Sequence, residues 1–301
     1  MNVKLPKPVS MMLACLLALL PVLASANTLE RVRSNNAITL GYVRDFAPFS
    51  NQDGDKATGY AIELCLKVVD KIKSELNLPG LQVRYQGLTV ADEIGAVSSG
   101  KVDILCTPAP ETLADRKSVS FSIPIYTAGL SAVVRKDAPE PLLRVLNGQV
   151  AHTGPTWRAT INQGLANQTF AAIKDGLTED WIRDKTRMLG VVTTQVTVKD
   201  NMEGVNLVAE GKASAFFSER MLLKNVVEKS KHAEDLMVVP RLFEFVPVSM
   251  VLERGDEDFR LLVDTVISEM YRSGEIEQAY AKYLGGARGT SKLLFEVYTL
   301  P

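Results

Sequence analysis

The sequence predicts an α/β protein with two lobes, each a mixed sheet flanked by helices. Two successive series of alternating strands and helices support this prediction, one from Ile38 to Leu105 and one over residues 137–244. Between the two series, Lys136–Pro141 has the charged, proline-containing composition of a linker. A helical segment over residues 257–284 follows the second series, so the chain is long enough for two lobes and a C-terminal extension.

Hydrophobic spacing places the elements of the first series. Ile62, Cys65 and Val69 recur at helical spacing, and Pro79 and Gly80 end that helix. The predicted elements are strand 38–43, helix 60–76, strand 81–85, helix 91–99, strand 102–105 and strand 130–135.

The second series repeats the plan with glycines and loops between its elements. Gly211 closes one helix, and the loop over residues 152–156 leads into a helix that starts at Trp157. The predicted elements are strand 149–151, the helix from Trp157, strand 191–198, helix 201–210, strand 213–217, helix 220–231 and a β-rich run over 242–252.

The N-terminus has the pattern of a secretory signal peptide. Lys4 and Lys7 precede an apolar run over residues 11–23, and Ala24-Ser25-Ala26 has the small-residue spacing of a cleavage site. We therefore expect cleavage after Ala26 and a periplasmic mature protein.

Charge and composition exclude several classes of partner. The sequence is 46% hydrophobic and 23% charged, which fits a folded chain. Removal of residues 1–26 takes two lysines from the 34 basic residues and none of the 35 acidic ones, so the formal charge falls from −1 to −3. Without a basic run, neither nucleic acid nor an anionic membrane is an expected partner.

Two cysteines, Cys65 and Cys106, remain in the mature chain. Export to an oxidising compartment favours a disulfide between them, and two buried free thiols are the alternative. Neither cysteine has the spacing of a metal ligand, and with only two histidines in the chain we expect no metal and no cofactor.

Several short segments, in this order and spacing, resemble the type II periplasmic amino-acid-binding proteins of ABC importers, and within them the glutamate/aspartate-binding branch. The segments are Gly41–Ser50, Gly59-Tyr60, Ser99–Asp103, Arg116 with Phe121-Ser122 and Pro124, and Gly211–Phe216. The resemblance covers about residues 29–284.

The resemblance implies a specific division of the chain. Lobe 1 would contain residues 27–136 and 245–301, and lobe 2 residues 137–244, with two hinge strands near Arg135 and Phe243. The protein would be a monomer that traps a small ligand between the lobes and docks on a membrane permease.

Four residues carry the main part of the implied ligand site. Arg116 would grip the α-carboxylate, because guanidinium donates two parallel hydrogen bonds; the alternative is a surface ion pair with Asp115 or Glu111. Phe46 would form an apolar wall. Thr156, before a helix, would help bind the carboxylate, and Glu219 would pair with the α-ammonium where relatives usually have aspartate.

At two positions the sequence departs from the glutamate/aspartate-binding pattern. Val43 stands in place of an arginine and Asn201 in place of a histidine, the two groups that receive the ligand's side-chain carboxylate. Arg44 would substitute only if the path of the loop shifts. The resemblance therefore leaves the identity of the ligand open.

The remaining candidates lie in two loops. Ala109 and Glu111 lie between the strand and Arg116, where Pro108 and Pro110 replace the usual serine and threonine donors and lack an N–H. His152 lies in a loop that relatives use to line the cleft.

Relative to the family that the sequence resembles, there is an insertion of roughly 20 residues between Thr156 and Val191, and it contains Trp181. The sequence leaves open whether Trp181 covers the cleft or packs in the lobe.

Two alternatives to an importer receptor remain. The fold also resembles the periplasmic cyclohexadienyl dehydratases. If this chain were such an enzyme, Glu219 or His152 would act as the general acid, and a carboxylate in that role would need a raised pKa. The third possibility is a protein that presents its ligand to a chemoreceptor or sensor kinase. The absence of a G-x-S-x-G motif, a nucleotide loop or a metal cluster from the sequence favours a receptor.

Overall fold

The computed structural model describes residues 27–149, 162–287 and 289–301, and within them the chain forms two α/β lobes. The strands are β1 Ala37–Val43, β2 Asn51–Asp53, β3 Lys56–Thr58, β4 Gln82–Leu88, β5 Ile104–Pro110, β6 Val119–Phe121, β7 Tyr126–Arg135, β8 Thr169–Ile173, β9 Thr194–Val198, β10 Ala215–Glu219, β11 Leu236–Val238 and β12 Glu244–Glu253. The helices are α1 Thr28–Asn35, α2 Tyr60–Leu76, α3 Glu93–Ser98, α4 Glu140–Leu146, α5 Leu177–Leu189, α6 Asn201–Ala209, α7 Arg220–Lys229, α8 Glu257–Ser273, α9 Glu275–Leu284 and α10 Thr290–Tyr298. The predicted signal peptide, residues 150–151 of the predicted strand 149–151 and the predicted helix start at Trp157 lie outside the described residues.

The sheet of lobe 1 has the order β4-β1-β5, with these strands parallel, and β12 lies antiparallel to β5. Helix α2 covers one face because its helically spaced residues Ile62, Cys65 and Val69 are buried against the sheet, together with α8 and α9. Helix α3 covers the other face through Ala96 and Val97. The sheet is therefore enclosed on both faces, as expected for parallel strands.

The sheet of lobe 2 has the order β7-β10-β8-β9, with β8 parallel to both β9 and β10. Helices α6 and α7 cover one face, and Val205 and Leu223 lie in that core. Helices α4 and α5 cover the other face, where Leu142 and Ile182 are buried. Each lobe thus has a sheet with a hydrophobic core on both sides.

Strands β7 and β12 carry the chain between the lobes. They pair antiparallel from Tyr126 opposite Val248 to Leu130 opposite Glu244, and we call these paired residues the hinge. Beyond the hinge, β7 pairs with β10 and β11, and β12 pairs with β5 and β6. The predicted lobe boundaries at 136/137 and 244/245 stay a prediction, although strand pairing alone makes Leu130–Arg135 part of the lobe 2 sheet.

Several elements differ from the sequence prediction, which contained neither β8 nor α5 of lobe 2. The predicted linker over 136–141 runs into α4, whose first turn contains Pro141; proline is tolerated there because the first N–H groups of a helix have no partner. Strand β5 begins at Ile104 and continues through both prolines, opposite a register irregularity in β12 at which proline is tolerated. Helix α10 was not predicted.

Trp181 lies on α5 and packs inside lobe 2. Its ring centroid is 5.8 Å from that of Phe217 and 5.7 Å from that of Phe243. Its indole N–H donates to Glu244 Oε2 at 3.3 Å. In this structure, then, the aromatic residue of the predicted insertion is a packing residue.

Cys65 on α2 and Cys106 on β5 form a disulfide, with their Cα atoms 5.8 Å apart. Both side chains are fully buried in the lobe 1 core, where the disulfide fixes α2 to the central strand of the sheet. Of the two alternatives that the sequence left open, the structure has the bridge.

Within the described ranges, no helix is both long enough and apolar enough to cross a membrane.

Candidate functional site

Both sheets direct the carboxyl ends of their parallel strands toward the hinge. In lobe 1, Pro110 at the end of β5 pairs with Val248, which lies opposite Tyr126. In lobe 2, Glu219 at the end of β10 pairs with Leu130, at the other end of the hinge. The loops that follow these strands therefore face each other, and we call the space between them the cleft. Ligands of α/β proteins bind in such crevices outside the carboxyl ends of strands.

Buried hydrogen bonds fix the loop that carries Phe46. Val43 N donates to Thr107 Oγ1 at 2.8 Å, and Ser50 Oγ donates to Val43 O at 2.8 Å. The Ser50 and Thr107 hydroxyls also lie 2.7 Å apart. Phe46 is partly exposed and packs against Phe49 at a ring distance of 6.3 Å. The loop thus has a fixed base and carries a partly exposed aromatic side chain that packs against the lobe 1 core.

Arg116 lies in the loop that follows β5, at the lobe 1 edge of the cleft. Its guanidinium pairs with Glu111, and 61% of its side chain is exposed. Thr112 Oγ1 holds the same loop by donating to Asp115 Oδ2 at 2.5 Å and accepting from Asp115 N at 3.0 Å. An exposed ion pair contributes at most about 1 kcal/mol, so a ligand carboxylate can compete with Glu111 for Arg116.

Arg44 also lies at this edge, directly after β1. Its guanidinium covers Gly87, where a Cβ would require the Arg44 side chain to move. Val43 is 3% exposed and pairs with Leu88 in a continuous parallel register. The register of β1 is therefore regular up to Val43, and the side chain of Arg44, the next residue, lies over the end of β4.

Ala109 is buried in the apolar cluster that also contains Val119 and Phe121, so its methyl group faces the core of lobe 1. Asn201 starts α6 at the lobe 2 edge of the cleft, and its Oδ1 accepts a hydrogen bond from Ser218 Oγ at 2.7 Å. Ala109 therefore has no polar side-chain group to offer a ligand. Asn201 has one, on the opposite lobe, and its amide oxygen is already bonded to Ser218.

Glu219 ends β10 and caps the next helix. Its Oε2 accepts from the backbone N–H groups of Met221 at 2.6 Å and Leu222 at 2.9 Å. Its Oε1 accepts from the hydroxyl of Tyr126, in the hinge, at 3.0 Å. Burial raises the pKa of the Glu219 carboxyl, and the hydrogen bonds from Leu222, Tyr126 and Met221 oppose that shift.

His152 and Thr156 lie outside the residues that the structure describes, so their positions relative to the cleft stay predictions. Of the other candidates, Phe46, Arg44, Glu111 and Arg116 follow lobe 1 strands, and Asn201 and Glu219 follow lobe 2 strands.

Two residues near the cleft were missed in the sequence. Tyr126 bonds to Glu219, and its ring packs against Phe49 at 4.8 Å. Glu93 starts α3, just beyond the end of β4, and burial raises the pKa of its carboxyl to about 8, with the nearby Asp115 adding to the shift. The available signal for Glu93 was a carboxylate in the first turn of the helix that follows a predicted strand. Most acidic residues at such positions only stabilise the helix through its dipole.

Comparison with known proteins agrees with this geometry. The model of the bacterial extracellular solute-binding proteins, family 3, matches residues 38–286. An L-glutamate/L-aspartate-binding protein of Pseudomonas aeruginosa is 30% identical over 269 residues, covering 87% of this chain and 82% of that protein. A glutamate/aspartate import solute-binding protein of Escherichia coli is 24% identical over 269 residues, covering 86% and 80%.

Solved structures show the same fold. The ancestral amino acid-binding protein AncCDT-1, a precursor of cyclohexadienyl dehydratase, superposes with a TM-score of 0.66 at 22% identity, over 86% of this chain and 99% of that one. A mutant of ArgBP from T. maritima has a TM-score of 0.65 at 19% identity, over 86% and 99%. The fold is that of type II periplasmic binding proteins, as the resemblance predicts, and the chain belongs to the bacterial extracellular solute-binding proteins, family 3.

Proposed function

We propose that this protein is a receptor that captures an amino acid in the cleft and delivers it to an ABC importer. The observation that carries the proposal is the placement of opposite charges on facing edges, with Arg116 on lobe 1 and Glu219 on lobe 2. A zwitterionic ligand pairs its carboxylate with the first and its ammonium with the second. Relatives named as glutamate/aspartate-binding proteins support the amino-acid class.

Closure of the lobes follows from the same arrangement. Contacts from one ligand to both edges stabilise the closed form over the open form, because the ligand binds the closed form better. The hinge supplies the axis, since only β7 and β12 pair across it in the described part of the chain. The closed form is the one that we expect the permease to recognise in the periplasm, after removal of residues 1–26.

The relatives, which are named as binding proteins, favour a receptor over the dehydratase alternative. A general acid must hold a proton that it can donate to a leaving hydroxyl. Both Glu219 oxygens accept hydrogen bonds, from two backbone N–H groups and from Tyr126, and these donors favour the ionised carboxylate that suits an ammonium partner. Burial acts in the opposite direction and raises the pKa of this carboxyl.

A thermal-shift screen of the refolded mature protein tests the proposal, with the twenty amino acids and common organic acids as probes. Refolding removes copurified ligand, and a ligand at 100 times its Kd adds about 2.7 kcal/mol of stability. We expect at least one amino acid to raise the Tm, and Arg116→Ala to remove most of that increase. Arg33→Ala, on the exposed surface of α1, is the matched control.

Two results would reject the proposed function. One is a screen in which no amino acid raises the Tm. The other is a ligand-induced rise in Tm that is equal in the Arg116→Ala and Arg33→Ala variants. The assignment of the ligand's carboxylate to Arg116 would then be wrong. Turnover of prephenate or arogenate would be the next assay.

A further inference from the structure

Glu93 lies on the lobe 1 edge of the cleft. Strand β4 ends at Leu88, a short 3-10 turn covers Val90–Asp92, and Glu93 opens α3. Because β4 is parallel to β1 and β5, its carboxyl end lies at the same edge as Phe46 and Arg116. Glu93 thus lies at the edge that faces lobe 2.

The other acids that follow β4 and β5 have hydrogen-bonding or charged partners. Asp92 accepts from Thr89 Oγ1 at 2.6 Å, Asp115 accepts from Thr112, and Glu111 pairs with Arg116. For Glu93, by contrast, the described part of the chain provides neither a hydrogen bond nor an ion pair, although its side chain is partly buried. Its charged neighbour is Asp115, which repels the ionised form.

An unpartnered carboxyl in a partly buried position is costly when ionised, and nothing in the packing of lobe 1 requires it. The apolar residues Ala96 and Val97, not Glu93, attach α3 to the sheet. A cation that enters the cleft would supply the missing partner.

The same edge is unfavourable for a second carboxylate on the ligand. Val43 occupies the position at which the glutamate/aspartate-binding pattern has an arginine, and Arg44 lies over Gly87. An acidic ligand side chain would lie near the carboxyls of Glu93 and Asp115, whose ionised forms repel it. Like charges at close range disfavour binding and so select against a ligand of the same sign.

We infer that the ligand is an amino acid with a cationic side chain, and that the Glu93 carboxylate receives the side-chain cation. This inference rests on the proposed function, since Arg116 and Glu219 would hold the α-carboxylate and α-ammonium. It makes Glu93 a specificity-determining residue and separates this chain from relatives named for glutamate and aspartate.

Titration calorimetry at pH 8 with L-arginine, L-glutamate and L-leucine as probes tests the inference on the refolded mature protein. We expect L-arginine to bind at least tenfold more tightly than the other two. Glu93→Gln should reduce L-arginine affinity at least tenfold, because the amide keeps the shape and loses the charge. The matched control is Asp92→Asn, which removes one negative charge at the neighbouring exposed residue and should leave affinity unchanged.

The pH dependence supplies an independent readout. The pKa of Glu93 in the empty protein is about 8, so binding of a cation must ionise a carboxyl that is mostly protonated at pH 7. L-Arginine affinity should therefore fall about tenfold for each pH unit below 8, with proton release on binding. Glu93→Gln should remove this dependence, while Asp92→Asn should keep it.

The outcomes separate the inference from the proposed function. Tighter binding of L-glutamate or L-leucine than of L-arginine overturns the inference and leaves the receptor function standing. So does L-arginine binding that Glu93→Gln leaves unchanged, because a neutral amide would then suffice. If none of the probes and no other amino acid binds, the proposed function itself fails.

Discussion

At the scale of single residues, the Glu219 carboxylate connects two parts of the molecule. It caps α7 through two backbone N–H groups and binds the Tyr126 hydroxyl in the hinge. A helix cap is worth about 1 kcal/mol, and a buried hydroxyl left without a partner costs about 1–3 kcal/mol more. The residue thus joins lobe 2 to β7 in the hinge.

We predict that Glu219→Ala lowers the free energy of unfolding by about 2–4 kcal/mol and that Tyr126→Phe lowers it by about 1 kcal/mol. A double-mutant cycle by urea denaturation should give a coupling of about 1 kcal/mol between the two sites. The control Glu228→Ala, exposed on the same helix, should change stability little. Additive effects of Glu219→Ala and Tyr126→Phe would show that the hydrogen bond does not contribute.

Glu93 should also affect stability as a function of pH. Its pKa rises from an ordinary 4.5 to about 8 in the folded protein, so the folded state holds a proton that the unfolded state releases. Stability from this group is therefore present below pH 4.5 and is lost as pH rises to 8, by an amount on the order of 5 kcal/mol.

We predict that Glu93→Gln unfolds at higher urea concentration than the parent at pH 9 and at nearly the same concentration at pH 4.5. Asp103, Glu219 and Asp264 also have raised pKa values, so the difference between variant and parent is the quantity to measure. A difference that does not change between the two pH values would contradict a buried carboxyl at residue 93.

How far the site can be predicted from sequence depends on the residue. The position of Arg116 after a strand could be predicted, and the structure has it in the loop that follows β5, whereas its role in binding a carboxylate stays a prediction. The contacts of Glu219 did not follow, because its partner Tyr126 lies 93 positions away. Glu93 was missed because its burial depends on α3 packing against β5 and on the loop that brings Asp115 near, neither of which a local pattern contains.

At the scale of elements, the disulfide fixes α2 to β5, the strand that leads to Arg116. Its cysteines are 41 positions apart, and closing a loop of that length in the unfolded chain corresponds to about 4 kcal/mol. We predict that Cys65→Ala/Cys106→Ala lowers the free energy of unfolding by about 3–4 kcal/mol in urea denaturation. A variant as stable as the parent under non-reducing conditions would contradict a stabilising role for the bridge.

Helix α10 lies beyond the residues that the family model matches and packs on α8, α9 and the hinge. Phe295 contacts Tyr271 at a ring distance of 5.4 Å, and the Tyr298 hydroxyl lies 2.8 Å from Thr127 Oγ1 in β7. A nine-residue helix is not stable by itself, so this packing decides whether it forms. The sequence prediction stopped at Leu284 for that reason.

We predict that Phe295→Ala lowers the free energy of unfolding by roughly 1–3 kcal/mol and speeds amide exchange in the hinge. The control is Val297→Ala on the exposed side of the same helix, where the side chain is 66% exposed. Equal effects of the two substitutions would mean that α10 does not pack through Phe295.

The strands and helices of lobe 1 were mostly predictable because hydrophobic spacing reports which face is buried, whereas β8 and α5 of lobe 2 were missed. Helix α2 has the predicted bounds Tyr60–Leu76, but Tyr60 and Leu64 are buried in addition to the predicted residues, and Leu76 is only partly buried. Element ends were less predictable, since β5 extends through prolines that only its pairing with β12 allows.

At the scale of the whole molecule, the account requires that the two edges move together when a ligand binds. Leu113 follows β5 on lobe 1 and is 85% exposed, and Met202 follows β9 on lobe 2 and is 42% exposed. These apolar side chains lie at facing edges, where closure would bring them closer. They are also suitable label positions, because neither makes a hydrogen bond or ion pair through its side chain in the described structure.

The most direct test is a spin-label distance measurement between cysteines introduced by Leu113→Cys and Met202→Cys, with the native disulfide intact. The account predicts a shorter label-to-label distance when the amino acid that raises the Tm most is added, and no change in the same protein carrying Arg116→Ala at that ligand concentration. An unchanged distance at saturating ligand, with binding verified by calorimetry, would contradict a cleft that closes on its ligand.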